Sequence, residues 1–114
     1  MSLITTHVLD TSRGQPASGV PVTLAFERAG QGWQVIASGT TNQDGRIGDL
    51  LPPDALLLVG NYRLTFDTRD YFQQYNLQSF YPYIPIVFAI QQATEHYHVP
   101  LLLNPFGYTT YRGS

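Results

Sequence analysis

Apolar residues return at every second position along five short stretches of this chain: Val20/Val22/Leu24/Phe26, Trp33/Val35/Ala37, Tyr62/Leu64/Phe66, Ile84/Ile86/Phe88/Ile90 and Val99/Leu101/Leu103. A period of two collects them on one face of an extended strand, so each stretch is predicted to be a strand with a single apolar side. Turn chemistry separates them, at Arg13-Gly14-Gln15-Pro16, Ala29-Gly30-Gln31-Gly32, Asn42-Gln43-Asp44-Gly45, Pro52-Pro53, Val59-Gly60-Asn61 and Asn104-Pro105-Phe106-Gly107. With a first strand around Ile4–Leu9 and a last around Thr109–Tyr111, about seven or eight short strands fit an all-β sandwich and no helical fold. One segment breaks the alternation. Asp67 to Tyr75 opens on a residue suited to N-capping and carries Asp70 in its first turn, so it is predicted to be a short helix. Gln78 to Pro85 reads as an aromatic and proline connection into the next strand.

The 114 residues, 43% of them hydrophobic, suffice for one domain spanning 1–114 with a core that needs no staples, and exclude a disordered chain. The basic residues number six, all of them arginines and none in a run, so the chain lacks the electrostatic footprint of a nucleic-acid or anionic-membrane binder. The absence of cysteine removes disulfides and thiol nucleophiles. No segment is long enough to span a bilayer, and Met1-Ser2-Leu3-Ile4 runs into Thr5-Thr6-His7 without the basic start and apolar stretch of a leader, so a protein that is cytoplasmic, or already mature, is expected.

Parity also sorts the polar residues. In the first strand Ile4, Thr6 and Val8 alternate with Leu3, Thr5, His7 and Leu9; parity alone leaves open which set faces the core. If Val99, Leu101 and Leu103 face inward, then His96, His98, Pro100 and Leu102 share the outer side, and Thr109 and Tyr111 share a face of the last strand. Were these three strands neighbours, one surface would carry His7, His98 and Tyr111 among Leu9, Pro100 and Leu102. A surface so apolar, yet set with titratable groups, fits a cleft closed by a second subunit.

Thr6-His7-Val8-Leu9-Asp10 followed by Gly14-Gln15-Pro16-Ala17, then Asp44-Gly45-Arg46, Phe80-Tyr81-Pro82 and the run from His98 to Tyr111-Arg112-Gly113-Ser114 resemble the signatures of the 5-hydroxyisourate hydrolases of the transthyretin superfamily. The resemblance implies a transthyretin-like sandwich of two four-stranded sheets with one short helix, assembled as a homotetramer. It implies hydrolysis of 5-hydroxyisourate, a product of urate oxidation, to 2-oxo-4-hydroxy-4-carboxy-5-ureidoimidazoline, with no cofactor. Carried over residue by residue, it makes His7, Arg46, His98 and Ser114 catalytic and gives His7, Arg46 and Tyr111 contacts to the substrate. The transport branch of the superfamily shares the framework without these histidines.

Opening a lactam with water needs a base, a donor for the oxyanion and an acid for the departing nitrogen. Histidine, with an ordinary pKa of about 6.5, suits the proton work. His7 and His98 are expected to share it, with either one as the base, while Arg46 orients the substrate and stabilises negative oxygen. Tyr111 would hydrogen-bond the ring, and Ser114 would fix the terminus or position the water. Other constellations are weaker. His96-x-His98 is a possible zinc pair, but spacing brings no carboxylate or cysteine to it. No Gly-x-Ser-x-Gly turn presents a serine for a triad. Asp10 reads as a turn-forming acid, and Phe80-Tyr81-Pro82-Tyr83 as packing against a sheet edge. A channel that carries a ligand without chemistry, or a module that only assembles, are the competing classes.

Overall fold

The computed structural model describes residues 3–114; Met1 and Ser2, read above for a leader, lie outside them. The alternation resolves into strands β1 (Ile4–Asp10), β2 (Gln15–Pro16), β3 (Pro21–Arg28), β4 (Gly32–Thr40), β5 (Arg46–Ile47), β6 (Gly60–Phe66), β7 (Ile84–Ile90), β8 (Tyr97–Asn104) and β9 (Gly107–Thr110), with helix α1 (Arg69–Gln73) between β6 and β7. They form two sheets. One runs β4-β3-β6-β7; the other runs β2-β1-β8-β9, with β5 also paired to β1. The second sheet therefore has five strands rather than the expected four, because two fragments of two residues each share one edge of β1.

The inward faces follow the parity. Val22, Leu24 and Phe26 of β3 lie opposite Phe66, Leu64 and Tyr62 of β6, which in turn face Ile84, Ile86 and Phe88 of β7. Across the sandwich, Ile4, Thr6, Val8 and Asp10 of β1 pair with Tyr97, Val99, Leu101 and Leu103 of β8, and all are buried. Burying these side chains against one another is the main force holding the layers together. The two polar members are satisfied: the Thr6 hydroxyl donates to the Val99 carbonyl at 2.6 Å, and the Asp10 carboxylate accepts from the Tyr71 hydroxyl at 2.7 Å.

The apolar run of β4 departs from the expectation. Leu24 pairs with Ala37 but Ala25 pairs with Val35, leaving Ile36 as an extra residue. This bulge reverses the parity, so Ala37 packs on the core while Val35 is turned out and exposed. The helix is also shorter than predicted, and its N-cap is Thr68 rather than Asp67. At its end Asn76, at φ 58°, reverses the chain while Asn76 N donates to Gln73 O and Leu77 N to Phe72 O, the paired bonds of a Schellman stop. The aromatic connection packs on the sheet edge as predicted: the Tyr81 ring meets Tyr108 of β9 edge-on at 5.2 Å, and Phe80 N donates to Pro105 O. Among the described residues no helix is long and apolar enough to cross a membrane.

Candidate active site

The inward set on β1 leaves Thr5, His7 and Leu9 on the outer face, half-buried. A turn brings the guanidinium to them. The Asn42 side-chain oxygen accepts from Asp44 N at 2.8 Å and from Arg46 N at 3.0 Å, an Asx turn that aims β5 back along β1. Gly45 sits at φ 75°, and a side-chain carbon there would lie 2.3 Å from the Val8 carbonyl oxygen. Only glycine allows that approach, which lets Val8 N donate to Gly45 O at 2.7 Å. The register that results sets Arg46 directly opposite His7.

The second histidine arrives from the other side of β1. Parallel pairing with β8 places Thr5 opposite His98 and His7 opposite Pro100. The Thr5 hydroxyl lies 2.8 Å from His98 Nδ1 and 2.9 Å from His96 Nε2, so a single oxygen links two imidazoles whose rings are nearly parallel, 6.3 Å apart. Beyond β9 the chain continues across this face. Gly113 bridges to His98, its N–H donating to the His98 carbonyl at 2.8 Å. Arg112 secures the segment: its guanidinium lies 4.4 Å above the Tyr97 ring, 3.6 Å from the Glu95 carboxylate and within 3.4 Å of the His96 carbonyl.

These elements enclose a cleft of ≈ 270 Å³ lined by Thr5, Arg46, Gly48, His96, His98 and Ser114 among others. Its electrostatics favour neutral imidazoles. Burial lowers the His98 pKa, and the positive charge of Arg46 lowers it further, with smaller contributions from His96 and His7. His7 is lowered by burial first and by Arg46 second, against a weaker opposing pull from Asp44. A neutral imidazole beside a fixed cation can accept a proton, while the cation meets negative charge on oxygen.

Of the residues singled out from sequence, Arg46, His98 and Ser114 line the cleft, while His7 stands outside its lining, opposite Arg46 on the same outer face. Tyr111 does not line the cleft. It stands 56% exposed beyond the end of β9 and lines a separate hollow with Thr110, Arg112 and the β7 residues Ile86–Ala89. His98 borders both. Sequence reasoning passed over Thr5, whose parity with His7 was visible but whose partner on β8 was not, and Asn42, whose side chain shapes the turn that delivers Arg46. Among the described residues no group of three or more His, Cys, Asp or Glu side chains is placed to hold a metal ion.

Two facing sheets, one short helix and a cleft on an outer sheet face define a transthyretin-like β-sandwich. The chain belongs to the HIUase/Transthyretin family, whose profile matches residues 4–113. A probable 5-hydroxyisourate hydrolase of Caenorhabditis elegans is 50% identical over 111 residues, spanning 97% of this chain and 80% of that protein. The structure of Klebsiella pneumoniae 5-hydroxyisourate hydrolase superposes with a TM-score of 0.83 at 38% identity, covering 97% of this chain and 92% of that one. Sea bream transthyretin, solved in complex with thyroxine, superposes with a TM-score of 0.91 at 32% identity, covering 98% and 95%. Backbone similarity thus does not separate hydrolase from carrier; the side chains of the cleft must.

Proposed function

We propose that this chain, as one domain spanning 1–114, catalyses the hydrolysis of 5-hydroxyisourate to 2-oxo-4-hydroxy-4-carboxy-5-ureidoimidazoline in urate catabolism. The observation that carries the reading is the meeting of Arg46 with His7 and His98 on one outer face, both imidazoles held toward the neutral form. A carrier of an apolar ligand needs no such set. A lactam hydrolase does: one imidazole takes a proton from the attacking water, Arg46 holds the substrate and meets the oxyanion, and a protonated imidazole returns the proton to the departing ring nitrogen as the carbon–nitrogen bond breaks. The water oxygen ends in the new carboxylate. In this reading Ser114, which lines the cleft, fixes the terminus or helps position the water, and Tyr111 hydrogen-bonds the ring from the hollow that it shares with His98.

The proposal extends to a homotetramer in the cytoplasm. In support of assembly, the sheet face that carries the cleft also carries Leu9 and Leu102, half-buried in the protomer, and among the described residues β7 and β9 are unpaired edges. Sedimentation tests the assembly and cell fractionation the compartment. The decisive experiment generates 5-hydroxyisourate from urate in a cuvette and follows its ultraviolet decay with and without the protein. Acceleration in proportion to added protein is expected; none would leave ligand carriage as the reading.

A further inference from the structure

A base that gains a proton beside a guanidinium pays for the new cation, and His98 stands in that position. Its Nδ1 is taken up by the Thr5 hydroxyl, which leaves Nε2 as the nitrogen free to exchange protons with a reactant. The same hydroxyl reaches the exposed His96 on its other side. A hydroxyl has one proton and can donate to only one of the two rings, so the other ring must donate to it. The protonation of His98 at Nδ1 is therefore tied to that of His96 at Nε2.

We propose that His96 and Thr5 are positioning residues that form a proton relay behind His98, so that charge gained in the cleft is delivered to the exposed His96. The inference rests on the hydrolase reading. In the resting arrangement His98 carries its proton on Nδ1 and donates to Thr5, which donates to the bare Nε2 of His96. When His98 Nε2 takes a proton from water, the Nδ1 proton passes to the Thr5 oxygen and the Thr5 proton passes to His96 Nε2. The His98 ring gains a proton at Nε2 and loses one from Nδ1, the Thr5 oxygen gains one and gives one up, and His96 gains one at Nε2, so the imidazolium ends on His96, in solvent. The return runs the same path backward when the leaving nitrogen needs a proton. The charged and titratable groups around the relay are His7 on β1, Arg46 on β5, Glu95 beside His96, and Arg112 on the terminal segment. Burial opposes a cation on His98 first, and the charges of Arg46, His96 and His7 add to it; His96 is exposed, so a charge moved onto it escapes the burial.

The test compares Thr5→Val, Thr5→Ser, His96→Gln and His96→Ala. Glutamine can accept a hydrogen bond from Thr5 but cannot take up its proton, so a purely structural role would be rescued by it and the relay would not. Thr5→Val and His96→Gln are expected to lower kcat about 10-fold, short of the loss for a group that transfers protons directly, with KM within about twofold. Thr5→Ser, which keeps the hydroxyl, regains most of the kcat that Thr5→Val loses, and added imidazole restores His96→Ala but not Thr5→Val. In nitrogen NMR the His98 Nδ1 and His96 Nε2 signals are expected to move together in the wild-type protein as the pH is changed, and independently in Thr5→Val, whether or not the protein turns over substrate. Wild-type kcat in Thr5→Val or His96→Gln, or ring signals that move independently in the wild-type protein, would overturn the relay; an inactive wild-type protein with coupled ring signals would overturn the hydrolase reading instead.

Discussion

His7 and Arg46 face each other across the antiparallel pair formed by β1 and β5, a contact that exists only because Gly45 lets the turn close against the Val8 carbonyl. Burial biases both His7 and His98 toward the neutral form, and the Arg46 guanidinium, opposite one and across β1 from the other, adds to that bias. One arginine therefore tunes both candidate proton-transfer groups.

Replacing Arg46 with glutamine removes that charge, and both imidazoles are expected to titrate at higher pH, followed by their ring C–H proton signals. The sign carries to stability. Between the lowered folded-state values and about 6.5 the unfolded chain binds more protons than the folded one, so stability rises with pH across that interval and levels off above it. Urea midpoints taken from about pH 5 to pH 8 should show this rise in the wild-type protein and a shallower one in Arg46→Gln. Equal slopes would mean that Arg46 does not act on these rings.

His7→Ala and His98→Ala test the proton-transfer roles directly. Both side chains lie on the outer face, away from the packed layers, so melting temperatures should move little while turnover falls on the order of 100-fold to 10,000-fold each. Steady-state decay of 5-hydroxyisourate, paired with thermal unfolding of the same preparations, separates the two effects. Near-normal turnover in either variant would remove that residue from the mechanism.

How far the sequence reached follows from what alternation can encode. It identified the inward faces of β3, β6 and β7, because a period of two needs only local spacing, and the structure meets the condition it set for β8; on β1 it left both faces open, and burial against the core decides for Ile4, Thr6 and Val8. It failed on β4, where the bulge at Ile36 flips Val35 outward, since a bulge is fixed by the partner strand and leaves the local pattern looking intact. It gave no sign of β5, two residues long, so Arg46 entered the site through family resemblance rather than periodicity. His96 and Thr5 stayed unassigned for a related reason. They meet across 91 residues of chain, and only the parallel register of β1 with β8 brings them together.

Asp10 illustrates a role for which the turn reading was right but incomplete. Its Oδ1 accepts from Ser12 N and the Ser12 hydroxyl, as a turn-forming acid should, but its Oδ2 is buried against Tyr71 of the helix. The carboxylate therefore ties the end of β1 to α1, and burial together with this bond raises the Tyr71 pKa. Asp10→Ala would take away the acceptor of the Tyr71 hydroxyl, leaving it only the bond it accepts from Arg13 at 3.2 Å, and is expected to cost on the order of 1–3 kcal/mol. Denaturant unfolding measures the loss, and turnover per folded molecule should stay close to wild type.

Gly113 decides whether the terminal segment can reach the cleft. A side-chain carbon at this position would lie 2.6 Å from His98 Cδ2 and 3.0 Å from Pro100 Cγ, so alanine must displace either the strap or the imidazole. The strap is the softer of the two, held at this point by one hydrogen bond from Gly113 N to His98 O and by the surface contacts of Arg112. Its displacement carries Ser114 away from the cleft wall. Because misplacing a group by about 1 Å can cost on the order of 100-fold, Gly113→Ala is expected to lower turnover by at least about 10-fold. The core lies on the other face of β8, so the melting temperature should hardly change. Deleting Ser114 alone should reproduce much of the loss if the strap serves to deliver that residue. If Gly113→Ala loses activity while the deletion does not, displacement of the His98 ring is the cause instead.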